Sequence, residues 1–159
     1  MTDKYEEVQK ADSIWALSIL ALTVVFNWYI YFVNHYDNLQ FFYTSMLSVS
    51  LICSVLTILN LRTFIDNEGV HYRLFPFQWD YRIIRKQDIV RCKIITYNPL
   101  KEYGGWGLRY TSKGKAFTIK GNKGLMIYLS EKKKPILIGT CDPERLKTFL
   151  EHNRLFDRL

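Results

Sequence analysis

Charge is missing from two long stretches of this sequence. No Asp, Glu, Lys or Arg occurs in residues 13–36, and none occurs in residues 38–61. A helix on the surface of a soluble protein carries a polar face at helical period, so this absence argues against ordinary amphipathic helices. Cysteine and histidine are also scarce. Cys53, Cys92 and Cys141 have neither metal-ligand spacing nor the pattern of a disulfide framework, which fits a reducing compartment. His35, His71 and His152 form no HExxH or comparable metal pattern. The glycines complete no GxGxxG, no phosphate-binding loop and no GxSxG elbow, so the motif-bearing nucleotide-binding and hydrolase classes are excluded.

The two uncharged runs are each 24 residues long. At 1.5 Å per residue, about 20 residues cross a ~30 Å hydrocarbon layer, so the runs are expected to be two membrane-spanning helices, about 14–34 and 40–61. Trp28, Tyr29, Tyr31 and Tyr36 close the first run and Phe41, Phe42 and Tyr43 open the second, a headgroup-level placing. Lys4 and Lys10 precede the first helix and Arg62 and Arg73 follow the second, while the connecting loop has no positive charge. Both termini are therefore expected in the cytoplasm, and the address is the inner or plasma membrane. No ionisable residue lies within either span, which excludes an ordinary proton or ion pathway. Asn27, the amide inside the first run, is expected to hydrogen-bond across the helix pair. The small residues Ser45, Ser48, Ser50 and Ser54 leave a homo-oligomer open, although packing within the pair explains them as well.

Basic charge is concentrated after the second run. Residues 62–159 hold 20 of the 22 Lys and Arg against 10 of the 15 Asp and Glu, a balance of +10. The texture there changes to short β-branched segments separated by turns: residues 63–66, 70–74, 80–96, 106–110, 115–120, 125–129 and 135–139. A helix follows over about 143–153, with Asp142 as N-cap, Pro143 at its first position and a stripe of Leu146, Phe149 and Leu150. The expected organisation is a leader at 1–13, a helical hairpin at 14–61 and a β domain at 62–159. The fold class is α+β: a transmembrane two-helix hairpin, then about seven antiparallel strands closed as a barrel by the C-terminal helix.

The stretch from Tyr97 through Asn98, Pro99, Leu100, Lys101, Glu102, Tyr103, Gly104, Gly105, Trp106, Gly107 and Leu108 to Arg109 resembles part of a group of small bacterial membrane proteins. So do Gly114, Lys115 and Ala116, the string Gly121, Asn122, Lys123, Gly124, and the run Leu137 to Thr140 before Asp142, Pro143 and Glu144. That group has two N-terminal helices and a pleckstrin-homology-like (PH-like) domain. The resemblance spans most of residues 14–150 and implies a fold but no reaction.

Two candidate sites emerge. Glu102, Tyr103, Trp106 and Arg109 form either a recognition loop with an aromatic anchor or a glycine-shaped corner in which Glu102 pairs with Arg109. Lys132, Lys133 and Lys134, with Lys113, Lys115, Lys120 and Lys123, fall on expected hairpin tips. There, a lysine near an anionic lipid surface contributes about 1 kcal/mol; ordinary solvated turns are the alternative. Specific phosphoinositide recognition is disfavoured, because the turn Asp66, Asn67, Glu68, Gly69 is acidic where eukaryotic PH domains are basic. Nucleic acid is not an expected partner, since no recognised module is present. The functional expectation is a non-enzymatic interaction or scaffold module that binds a membrane protein partner and anionic headgroups, without metal or cofactor. The alternative is a membrane-associated enzyme using Glu102 and Arg109.

Overall fold

The computed structural model describes residues 4–11, 13–34, 39–130 and 134–152. The chain divides into two compact units, Lys10–Leu59 and a larger one made of Met1–Gln9 with Asn60–Leu159.

In the smaller unit, helix α1 runs over Ser13–Asn34 and α2 over Leu39–Ile58. Neither proline nor glycine occurs in residues 13–34 or 39–58, so no such residue breaks the ladder within either helix. Their hydroxyls turn back onto the backbone: Thr23 Oγ1 donates to the Ile19 carbonyl at 2.6 Å and Ser54 Oγ to that of Ser50 at 2.8 Å. Asn27 joins the two helices. Its Nδ2 donates to the Thr23 carbonyl at 2.8 Å and its Oδ1 accepts from Ser45 Oγ at 2.6 Å.

The expected transmembrane hairpin is overturned. Among the described residues no helix is long and apolar enough to cross a membrane. The inner- or plasma-membrane address and the cytoplasmic placement of both termini rested on that hairpin and fall with it. Large apolar side chains do stand exposed on both helices, including Leu22, Val25, Phe26, Leu47 and Leu51.

The larger unit contains two sheets. Strands β1 (Tyr5–Lys10), β2 (Asn60–Ile65), β3 (Gly69–Phe75) and β4 (Arg82–Arg85) lie in that order in the first. Strands β5 (Ile89–Thr96), β6 (Gly107–Thr111), β7 (Gly114–Thr118), β8 (Lys123–Leu129) and β9 (Ile136–Gly139) form the second, in the order β5-β8-β9-β7-β6. Among the described residues two helices complete the unit, the short α3 (Pro99–Tyr103) and α4 (Pro143–His152).

The expected seven-stranded closed barrel is therefore replaced by two separate sheets of four and five strands. Three local causes account for this. Residues 5–10, read from sequence as leader, form an edge strand. A 3₁₀ turn at Lys86–Asp88 divides the isoleucine-rich segment into β4 and β5, which go to different sheets. Finally, β9 inserts between β7 and β8 and runs parallel to β7, so the second sheet is no simple meander.

The core follows from alternation. Leu61, Thr63 and Ile65 of β2 and Val70, Tyr72 and Leu74 of β3 point inward. They face Phe117, Leu125, Ile127 and Ile138 of the second sheet, and the Tyr72 and Phe117 rings meet at 4.6 Å between centroids. All four residues of β9 are buried, as expected for an inserted strand covered on both faces. On the other face of this sheet Ala116, Met126 and Leu137 pack against Tyr97 and Tyr103.

Strand β1 is locked in place by one carboxylate. Glu7 Oε2 accepts from Tyr5 OH at 2.6 Å and Thr140 Oγ1 at 2.7 Å, and Oε1 accepts from Gln9 Nε2 at 2.9 Å and the Cys141 amide at 2.6 Å. Gln9 Nε2 also donates to the Gly139 carbonyl at 2.7 Å. Burial, with Glu7 beside it, raises the Tyr5 phenol pKa well above its usual value. Asp142 caps α4 by accepting from the Arg145 amide at 3.1 Å.

Candidate functional site

Two places in the larger unit gather the residues that the sequence marks out. The first is the corner between β5 and β6. Asn98 caps α3: its Oδ1 accepts from the Lys101 amide at 3.0 Å, while its own amide donates to Glu102 Oε1 at 2.7 Å. Pro99 stands at the first helical position, where its missing N–H costs nothing. Gly104 ends the helix at φ 71, a left-handed conformation that glycine adopts without strain. Its amide and that of Gly105 donate to the carbonyls of Leu100 and Pro99 at 3.1 and 2.9 Å.

The corner's side chains are engaged from within. Glu102 Oε2 receives Lys113 Nζ at 2.7 Å. Arg109 Nε donates to the Trp106 carbonyl at 3.0 Å, and Trp106 Nε1 donates to the Gly121 carbonyl at 2.9 Å. Tyr103 is buried and meets Tyr97 edge-on, with 5.7 Å between ring centroids. Among the described residues no ion pair joins Glu102 to Arg109.

The hydrogen bond from Lys113, then that from the Asn98 amide, holds the Glu102 carboxyl below the usual carboxylate range. A carboxylate with a lowered folded-state pKa contributes stability that is present above its unfolded value, about 4.3, and lost as pH falls through the folded value. Glu102→Gln should therefore lower the melting temperature slightly at neutral pH, and the gap from wild type should close below pH 4. A gap independent of pH would separate the effect from ionisation.

The second place is the tip of the β6–β7 hairpin. A two-residue turn, Ser112 and Lys113, connects the strands, with Thr111 opposite Gly114. The parallel pairing of β7 with β9 sets Lys115 beside Ile136, and the Lys115 amide donates to the Pro135 carbonyl at 3.1 Å. The approach demands glycine at 114: a Cβ built there would overlap the Pro135 carbonyl, and φ is 131. A cavity of about 640 Å³ opens between these segments, with Tyr110, Thr111, Ser112, Lys115, Lys134 and Ile136 among its lining residues. Lys134 Nζ donates to the Thr111 carbonyl at 3.3 Å, and Lys115 Nζ lies 4.9 Å from the centre of the Tyr110 ring. Lys115 and Lys134 line one hollow, and no carboxylate is among its described lining residues.

The chain matches no family model and no curated protein. The resemblance to small bacterial membrane proteins with a PH-like domain is accordingly corrected. No family or relative supports that domain, the strands form no closed barrel, and no described helix can span a membrane.

Of the residues singled out from sequence, Glu102, Tyr103, Trp106 and Arg109 come together, as parts of the corner. Lys132 and Lys133 lie outside the described residues, and Lys134 lines the cavity. The pairing of Lys134 with Lys115 had no signal in the sequence, because an expected meander places residues 115 and 134 on separate tips. Among the described residues no group of three His, Cys, Asp or Glu could hold a metal ion.

Proposed function

We propose that this chain acts by binding and not by catalysis, as an interaction module whose contact point is the cationic cavity at the β6–β7 tip. Its partner offers an anionic group to Lys115 and Lys134. The observation that carries this reading is that Lys115 of β7 and Lys134, from the segment just before β9, line one hollow together with Tyr110, Thr111 and Ser112. Ammonium groups donate to carboxylate or phosphate oxygens, and charge-assisted bonds of this kind are roughly twice as strong as neutral ones. The engagement of both Glu102 oxygens and of Arg109 within the corner favours binding over the enzymatic alternative at those residues.

Inorganic pyrophosphate is a simple probe of the cavity. In calorimetric titration it should bind the full chain, more weakly as salt rises. The double variant Lys115→Gln, Lys134→Gln should lose at least tenfold in affinity, about 1.4 kcal/mol, while retaining its circular dichroism. Sedimentation with phosphatidylglycerol and phosphatidylcholine vesicles distinguishes a lipid headgroup from a free phosphate as the source of the anion. Unchanged pyrophosphate affinity in the double variant would defeat the reading.

A further inference from the structure

We infer that the anionic group reaches the cavity on an extended acidic peptide that adds as a new strand along β6. This rests on the cavity reading and names its partner. In the strand order β5-β8-β9-β7-β6, β6 is an edge and pairs only with β7 among the described residues. The two-residue turn makes Thr111 and Gly114 its closing hydrogen-bonded pair, so by antiparallel alternation Arg109 and Gly107 also bond to β7. Leu108 and Tyr110 therefore turn their amides and carbonyls away from the sheet. A strand added there satisfies those groups, and alternate side chains supply specificity.

The position of the cavity selects the peptide. Tyr110, whose backbone faces the open edge, also lines the cavity with Lys115 and Lys134. An incoming strand that pairs at Tyr110 thus carries a side chain toward two ammonium groups. Charge complementarity calls for Glu, Asp or a phosphorylated residue at that point of the peptide, with ordinary strand formers on either side. The five residues of β6 limit the added strand to a short segment, roughly 16 Å long.

The test uses the full chain and a nine-residue peptide of alternating valine and threonine with two central glutamates. Four counterparts accompany it: one with lysines for the glutamates, one with phosphoserine for them, one N-methylated at alternate residues, and phosphatidylglycerol vesicles. The acidic peptide should bind, and the phosphoserine form should bind at least as tightly. The lysine form should not bind, and N-methylation, which removes strand pairing while keeping charge, should weaken affinity at least tenfold. Leu108→Pro removes an outward amide from an edge position where proline is tolerated. It should weaken the peptide at least tenfold and leave pyrophosphate affinity unchanged. Equal binding of methylated and unmethylated peptides, or binding of vesicles without peptide, would overturn strand addition while leaving the cavity reading intact. Loss of the lysine dependence for pyrophosphate would remove both.

Discussion

Gly114→Ala should destabilise the larger unit by about 3–5 kcal/mol, the range of steric overlap with fixed backbone. The new Cβ would overlap the Pro135 carbonyl, which also accepts the Lys115 amide bond. Neither neighbour can give way cheaply. Pro135 leads into β9, whose four residues are all buried, and β7 is held on both sides by β6 and β9. The strands must therefore part at the point where β7 and β9 begin to pair, and φ 131 adds its own strain for an L-residue. For a unit of this size each kcal/mol shifts the melting temperature by about 4–8 °C, so a fall of roughly 12–40 °C is expected in a thermal melt. Ser112→Ala, an exposed turn residue in the same hairpin, should change it by less than about 3 °C. Because the junction also forms the cavity wall, Gly114→Ala should lose pyrophosphate binding even at temperatures where it stays folded. Stability close to wild type would mean that the backbones at 114 and 135 do not approach as described.

Glu7→Ala should cost about 2–4 kcal/mol, since it strands four donors that converge on one carboxylate: Tyr5 OH, Thr140 Oγ1, Gln9 Nε2 and the Cys141 amide. The isosteric Glu7→Gln is the sharper test. Each carboxylate oxygen accepts two bonds, whereas an amide has one acceptor oxygen and must turn its NH₂ toward two other donors. Its cost should remain about half that of the alanine variant or more, although volume is conserved. Hydrogen exchange reads the location of the damage. Amides of β1 and β2 should lose protection in both variants, while those of β5 and β8 keep it; uniform loss or no loss would contradict the lock. The two substitutions lie at different junctions and share none of these partners, so their costs should add within about 0.5 kcal/mol.

Strand β1 also shows where sequence reading reaches its limit. The segment Tyr5–Lys10 buries Tyr5 and Gln9 and turns Glu7 into a hydrogen-bonding hub, so its inward face is polar and period-two hydrophobicity is absent. Partners 130 and 133 residues away make that face acceptable, and no local pattern announces them. The parallel register of β7 and β9 is hidden for the same reason. Lys115 and Lys134 each read as a charged tip, and their meeting depends on Gly114, whose close contact is with Pro135.

Local chemistry was legible where the partners are local. Helix α3 was not among the expected elements, although its cap Asn98, first-turn Pro99 and terminator Gly104 all lie within seven residues. Asp142 and Pro143 start α4 in the same way. Asn27 was expected to bond across the helix pair and does so through Ser45. The uncharged runs announced two helices and their approximate ends, but the membrane span inferred from their composition is contradicted among the described residues. The barrel failed because strand count and order, unlike strand existence, depend on pairings that a single sequence does not display.

The central claim, that the chain binds an anion between Lys115 and Lys134, is tested most directly by following backbone amides by NMR while pyrophosphate is added to the full chain. The account predicts that the amides of residues 110–115, 134 and 136 shift together with one dissociation constant, and that those of residues 97, 98 and 100–105 stay in place. Shifts confined to the corner around Glu102 and Arg109, or no saturable shift at all, would contradict it.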